Sequence, residues 1–187
     1  PAGAAWLQAR QAGSRLHRPG GWGRERLRNP LQPVVGITLF EALAYAAWAA
    51  TMPADAPPPA VPTELQWEAG VRCRPLAGGF DADGQAVWPW PAPAGGPGPL
   101  DFNHARTRWG WPSPVGVFSN SYTASGVADA VGNTWEWCCN ALPGDAMLGY
   151  GTDGQQAAAG AAFDPSDATS ERALRGGACG STANSCR

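Results

Sequence analysis

The sequence predicts a single α+β domain with two helices, a few short antiparallel strands and a mostly irregular surface. Apolar residues recur at helical spacing in two segments, near residues 38–48 and 62–71. The chain contains 25 glycines and 19 prolines, which favour loops over regular structure in much of the remainder. Because 187 residues suffice for one domain with a sizeable core, we expect one domain rather than two.

The first helix is predicted to begin at Thr38, after a short apolar strand over residues 34–37. Threonine is a favoured N-cap because its side-chain oxygen accepts a hydrogen bond from an otherwise unpaired N–H group of the first turn. The apolar residues that recur at helical spacing are Phe40, Leu43, Ala44, Ala47 and Trp48. The proline-rich residues 54–60 that follow indicate an exposed connector.

The second helix is predicted to begin after Thr63, with Gln66 completing a capping box and with Leu65, Trp67 and Val71 turned inward. The other elements are weaker predictions: a helix over 4–15, strands over 115–118 and 134–138, a loop over 74–100 pinned by Trp88 and Trp90, and a loop over 144–170. Ten tryptophans predict a core built largely of indole rings.

Charge and composition narrow the range of partners. The net charge of -2 gives no basic excess for nucleic acid, and no run approaches the roughly 20 apolar residues of a membrane span. The start of the sequence lacks the pattern of a signal peptide, so we expect the cytoplasm by default, with display at a surface left open. Five cysteines without C-x-x-C spacing predict neither a zinc site nor a complete disulfide framework.

Four ordered segments carry recognisable motifs: PVVGIT with EALAY, VPTE with WE, PVG with GVAD and GNTWEW, and LRGG with NSCR. With the WPW of residues 88–90, they resemble the formylglycine-generating enzyme (sulfatase-modifying factor) family over about residues 33–187. The resemblance implies that family's variant of the C-type lectin fold. Residues 1–32 are then an N-terminal extension packed on or leading into the domain, and residues 33–187 are the domain.

The resemblance also implies a place for catalysis. Active members of the family bind copper with two cysteines that follow the two glycines, and Cu(I) selects such soft thiolates. The motif places the first cysteine at Ser181 and the second at Cys186, and a hydroxyl cannot replace a thiolate. Cys179 lies two positions early, about 6.6 Å away if the segment is extended. We therefore expect no catalytic residue and no catalytic cofactor, and we interpret Cys186 as a buried thiol, with Cys186 and Cys179 as the alternative catalytic pair.

The resemblance raises the question of three further metal sites. Related sulfoxide synthases hold iron with histidines on a separate helical domain, and this chain offers only His17 and His104, so we expect no ligands for that chemistry here. A structural calcium site of the family corresponds to the side chains of Asp129 and Glu136 and the carbonyls of Gly132 and Thr134. A second calcium site would begin at Asn103, but its later aspartate has no counterpart in residues 106–114, so we expect that site to be lost.

The leading functional interpretation is a non-catalytic binding protein. Variable proteins of diversity-generating retroelements resemble the same family and end in a variable segment like this one. The corresponding residues, rich in small side chains, would form the ligand-binding surface: Ala178, Cys179, Gly180, Ser181, Thr182, Ala183, Asn184 and Ser185. The partner would be a protein or another surface ligand whose identity the sequence does not reveal.

Two alternatives stay open. The first is a copper-dependent formylglycine-generating oxidase that acts on a peptide cysteine. The second is an accessory structural domain, because a fold does not by itself fix a function.

Overall fold

The computed structural model describes residues 18–53, 57–72, 97–123, 125–141 and 171–186. In these ranges helix α1 spans Leu39–Ala49, helix α2 spans Glu64–Arg72, strand β1 spans Glu136–Ala141 and strand β2 spans Arg172–Arg175. The two strands pair in one small antiparallel sheet, and short 3-10 turns and irregular segments join the elements. The described chain is therefore α+β, as the sequence predicts.

The chain divides into two compact units. The first contains the described parts of residues 1–20, 36–65 and 137–173, and the second those of residues 21–35, 66–136 and 174–187. The helix predicted over 4–15, the anchors Trp88 and Trp90, and most of both long loops lie outside the described residues. Within the described ranges, no helix has the length and apolar character needed to cross a bilayer.

In the first unit, helix α1 begins where its cap predicts. The Glu41 N–H donates to Thr38 Oγ1 at 3.3 Å, and the Thr38 N–H donates to Glu41 Oε2 at 2.7 Å, so the two residues form a reciprocal capping box. Leu39 is buried in this helix, whereas Trp48, one of the apolar residues at the predicted helical spacing, is 56% exposed. Glu41 is the helix's only charged residue, so the sequence does not define one apolar face.

In the second unit, Trp67 and Val71 of helix α2 are buried as predicted. They pack in a core with Phe102, Phe118, Ala130, Val131 and Cys186. Leu65, which belongs to the first unit, is 47% exposed, contrary to expectation. Trp67 is also the only buried indole in the described part of the chain, so the prediction of a tryptophan-built core is wrong there. The other described indoles keep part of their surface in water.

The predicted strands have mixed outcomes. Residues 34–37 form no strand because the backbone turns at Gly36, where φ is 71°. Residues 115–118 form a turn instead of a strand. The strand predicted over 134–138 is displaced to Glu136–Ala141, and its partner Arg172–Arg175 was not predicted. Strand β2 leads directly into residues 176–186, which contain the two positions where the family resemblance implies catalytic cysteines.

Candidate functional site

A sharp backbone corner follows strand β2 at Gly176 and Gly177. Both glycines have positive φ angles, 86° and 78°. A Cβ atom at position 177 would lie 2.5 Å from Cys186 Sγ, and one at position 176 would lie 2.6 Å from the Ala130 carbonyl oxygen. Both the backbone conformation and the available space therefore require glycine here. We refer to residues 176–186 as the C-terminal corner.

The next four residues form a tight turn. The Ser181 N–H donates to the Ala178 carbonyl at 2.9 Å, and the Ala178 N–H donates to Ser181 Oγ at 3.0 Å. The expectation of an extended segment, with Cys179 two residues away from the position of Ser181, is wrong because Ser181 closes a turn. Gly180, Thr182, Asn184 and Ser185 are exposed, while Ala178, Cys179, Ser181 and Ala183 are half-buried.

Backbone hydrogen bonds tie the C-terminal corner to two other segments of the same unit. The Ala105 N–H donates to the Ser181 carbonyl, and the Cys179 N–H donates to the Asn133 carbonyl, each at 2.9 Å. The Gly132 N–H donates to the Gly176 carbonyl at 2.7 Å. Two segments distant in sequence therefore set the position of the corner.

Cys186 is fully buried, in agreement with its interpretation as a buried thiol. Burial raises the pKa of its thiol, and the Ala178 N–H, the Ser181 hydroxyl and the Gly132 N–H offset this only in part. Burial also raises the pKa of the Cys179 thiol. The four described cysteines, Cys138, Cys139, Cys179 and Cys186, are free thiols.

The donor groups of the C-terminal corner do not fit the copper site that the family resemblance implies. Cu(I) binding by a thiolate pair requires two ionisable sulfurs. Here one position carries the Ser181 hydroxyl, which bonds to the Ala178 N–H, and the other carries a buried thiol with a raised pKa. These two positions therefore do not supply the thiolate pair that copper would need.

A buried network of side-chain hydrogen bonds supports the C-terminal corner. The Asn103 side-chain amide donates to the Trp111 carbonyl at 2.9 Å and to Asn133 Oδ1 at 3.2 Å. Asn133 Oδ1 also accepts from the Ser113 N–H at 2.8 Å, and Asn103 Oδ1 accepts from the Thr107 hydroxyl at 3.2 Å. The network fixes the loop that holds Cys179, and it engages the Asn103 side chain at the position of the second family calcium site.

The predicted calcium ligands Asp129 and Glu136 are close enough to influence each other. The pKa of Glu136 is raised from 4.5 to about 7. Burial is the main cause, a hydrogen bond from the Trp67 indole N–H opposes the rise, and the negative charge of Asp129 adds to it. Asp129 accepts from the Gly116 N–H at 2.7 Å and from the Ser121 hydroxyl at 3.1 Å. Two partly desolvated carboxylates fit a hard cation, so the calcium site stays a prediction.

Two features escaped the sequence analysis. Arg175, directly before the corner, forms an ion pair with Glu68 and lies 5.0 Å from the centre of the Trp67 ring. His104 is fully buried, its Nδ1 lies 2.9 Å from the Phe102 carbonyl, and Nε2 has no hydrogen-bond partner among the described residues. The residues of the ion pair belong to two motifs found in the sequence, Trp-Glu and Leu-Arg-Gly-Gly. Nothing in the sequence indicated that His104 would be buried.

The fold and the corner together define an α+β domain whose candidate site lies at a glycine turn followed by thiol and hydroxyl side chains. The chain belongs to the family of sulfatase-modifying factor enzyme 1-like domains, which matches residues 2–187. This confirms the family resemblance at the level of the domain.

Several enzymes are similar to this chain. The hercynine oxygenase of Mycolicibacterium thermoresistibile is 29% identical over 186 residues, covering 93% of this chain and 36% of the relative. The formylglycine-generating enzyme of Streptomyces coelicolor is 32% identical over 134 residues, covering 71% and 39%. The hercynine oxygenase of Mycolicibacterium smegmatis is 32% identical over 111 residues, covering 59% and 22%. The chain thus spans well under half the length of these relatives.

These relatives overturn two expectations. The interpretation as a non-catalytic retroelement variable protein is wrong, because the similar proteins are named as an oxygenase and a formylglycine-generating enzyme. The expectation that the chain is not an enzyme is wrong for the same reason. The small residues after the glycines form a tight turn that Ser181 closes.

Proposed function

We propose that this chain is the substrate-binding domain of an oxygen-dependent oxidoreductase of the hercynine oxygenase type. The observation that carries the proposal is Ser181, whose hydroxyl stands where a copper-dependent member would need a thiol and is hydrogen-bonded to the Ala178 N–H. A domain without a thiolate pair can still serve an oxidation whose metal is bound elsewhere.

The extent of the similarity supports this choice. The match with the hercynine oxygenase covers 93% of this chain but only 36% of the relative, so about two-thirds of that enzyme has no counterpart here. Related sulfoxide synthases hold their iron on a separate helical domain. The described residues contain no cluster of three or more metal-binding side chains, so they do not fit an iron site of their own. The proposal therefore requires a separate metal-binding domain, in the same polypeptide or in a partner.

The C-terminal corner would contribute binding and orientation. Its backbone is fixed by the two glycines and by hydrogen bonds to residues 105 and 133. Its exposed side chains are those of Thr182, Asn184 and Ser185, and the hydroxyls of Thr182 and Ser185 hydrogen-bond to each other at 2.8 Å. Such groups on a rigid corner can hold a small polar substrate by hydrogen bonds at little entropic cost.

A second candidate is a formylglycine-generating oxidase that acts on a peptide cysteine. It is favoured by Cys186, which retains the position of the family's second cysteine and lies beside the Ser181 hydroxyl. This function would need Cys179 to replace the thiol missing at 181. The two candidates therefore differ in whether the corner itself must bind a metal.

We further infer that the domain has the C-type lectin fold that its family implies, with structural calcium at Asp129 and Glu136. The two helices, the small antiparallel sheet and the abundant loop support that fold. The calcium site is supported by the nearness of the Asp129 carboxylate to the buried Glu136 carboxylate, whose pKa it raises.

Tryptophan fluorescence of the purified protein titrated with hercynine, and separately with a cysteine-containing peptide, tests the proposal. Hercynine should give a saturable change that Gly177→Ala abolishes and Gly180→Ala preserves, because a methyl group at 180 meets no atom within 4 Å. Saturation by the peptide but not by hercynine would favour the second candidate. Oxygen uptake by the natural full-length protein with Fe(II) and hercynine then tests turnover.

A further inference from the structure

A basic surface with an aromatic base lies on the second unit. The guanidinium groups of Arg24 and Arg26 lie 5.8 Å and 5.4 Å from the centre of the same Trp111 ring. Both arginines are exposed. Both distances lie within the range of cation–π contacts, so two cationic groups surround one indole. An acidic group bound at this surface would be attracted by both positive charges.

The loop that carries these arginines is held in place by its backbone neighbours. The Gln32 side-chain amide donates to the Arg26 carbonyl at 2.9 Å and to the Pro112 carbonyl at 3.0 Å. The Val115 N–H donates to the Leu31 carbonyl at 2.8 Å. Arg24 and Arg26 are thus presented on a fixed loop over a fixed indole, so a ligand would have less to order on binding.

The two arginines at Trp111 outnumber the acidic residue beside them. That residue is Glu25, which lies between Arg24 and Arg26 in the sequence and is exposed. Within the described chain, no carboxylate forms an ion pair with Arg24 or Arg26. The whole chain nevertheless has a net charge of -2, so the basic character is local to this surface.

Exposed apolar side chains accompany the arginines. Leu31 is 64% exposed, Val115 50% and Trp109 51%, and the first two are joined by the backbone hydrogen bond between their residues. Nucleic acids are bound mainly through their phosphates, and exposed aliphatic side chains do not contribute to such contacts. Arginine and tryptophan together with aliphatic groups are typical of surfaces that bind peptides and proteins.

We propose that this surface, formed by Arg24, Arg26, Trp111, Leu31 and Val115, docks a peptide segment that combines acidic and apolar side chains. A carboxylate would bind the guanidinium group of Arg24 or Arg26 through charge-assisted hydrogen bonds, and an apolar side chain would cover Leu31 and Val115. This partner surface is independent of the oxidative chemistry proposed for the C-terminal corner.

Fluorescence anisotropy of a labelled peptide of alternating glutamate and leucine tests the proposal without any turnover. The wild-type protein should bind this peptide and should not bind the same peptide with glutamine in place of glutamate. The double variant Arg24→Gln/Arg26→Gln should bind about tenfold more weakly, as expected for the loss of two partly exposed charged contacts. Trp111→Leu keeps every charge and should weaken binding about threefold.

The matched control is Arg18→Gln/Arg28→Gln, which removes the same net charge from two exposed arginines that do not contact Trp111. It should change the affinity less than about twofold. Equal losses in the two double variants, or no binding by the folded wild-type protein, would overturn the proposal. Displacement of the peptide by heparin at lower concentrations than by unlabelled peptide would instead identify a polyanion as the occupant.

Discussion

The thiol of Cys186 lies against the α-carbon of Gly177, so closely that a methyl group there would come within 2.5 Å of Sγ. Gly177 also has a φ of 78°, a conformation that residues with a side chain adopt at a cost. The buried thiol and the glycine corner therefore determine each other's position.

Gly177→Ala should lower the free energy of unfolding by about 2–4 kcal/mol, because it adds a steric overlap to the backbone strain. Gly110→Ala is a control for strain alone, since φ there is 76° but a Cβ atom meets nothing within 4 Å, and it should cost only about 1–2 kcal/mol. Urea unfolding measures both. If the two variants lose equal stability, the contact with Cys186 has no energetic importance.

Stability should depend on pH through Glu136, whose pKa burial raises from 4.5 to about 7. Glu136 holds its proton more tightly in the folded state than in the unfolded state. Its protonation therefore stabilises the fold fully below pH 4.5, and this stabilisation is lost as the pH rises through 7. In chelator-treated protein the loss should reach about 3 kcal/mol, and Glu136→Gln should abolish it. The exposed control Glu25→Gln should leave the pH dependence unchanged, and an unchanged profile in Glu136→Gln would refute the assignment.

Calcium should stabilise the chelator-treated protein if Asp129 and Glu136 hold it. A hundredfold excess over Kd would add about 2.7 kcal/mol, seen as a higher Tm. Asp129→Asn should remove this gain, whereas Asp101→Asn, whose side chain bonds to Gly98 and Asn120 instead, should retain it. A Tm that calcium does not change would show that the carboxylates are not a calcium site.

The ion pair of Arg175 and Glu68 should show strong coupling because both side chains are largely buried, at 18% and 13% exposure. Arg175→Met alone should cost about 3 kcal/mol, since it leaves a buried carboxylate without its cation. Adding Glu68→Gln should recover most of that loss. A double-mutant cycle by chemical unfolding measures the coupling, and strictly additive effects would contradict it.

Local signals in the sequence predicted local structure well. The hydroxyl of Thr38 predicted the start of helix α1, and the spacing of Trp67 and Val71 predicted the buried face of helix α2. These features depend on neighbours three or four residues away. Cys186 was also interpreted as a buried thiol, as found.

The geometry of the C-terminal corner depends on partners far along the chain, and this is where prediction failed. Ser181 closes a turn, and the Ala105 N–H and the Asn133 carbonyl hold that turn. No periodicity in residues 178–186 encodes such contacts. The small residues were therefore interpreted as a variable binding surface, although they fit a compact turn in a family whose similar members are named as enzymes.

Ser181 removes half of the thiolate pair, and we propose that the domain therefore binds substrate without holding copper itself. Titration of the reduced protein with Cu(I), in competition with a chromophoric chelator, tests it directly. The wild-type protein should show no tight site, and Ser181→Cys should gain one that Cys186→Ser removes. Stoichiometric tight binding by the wild-type protein, lost in Cys186→Ser, would contradict the account and support a copper-dependent oxidase.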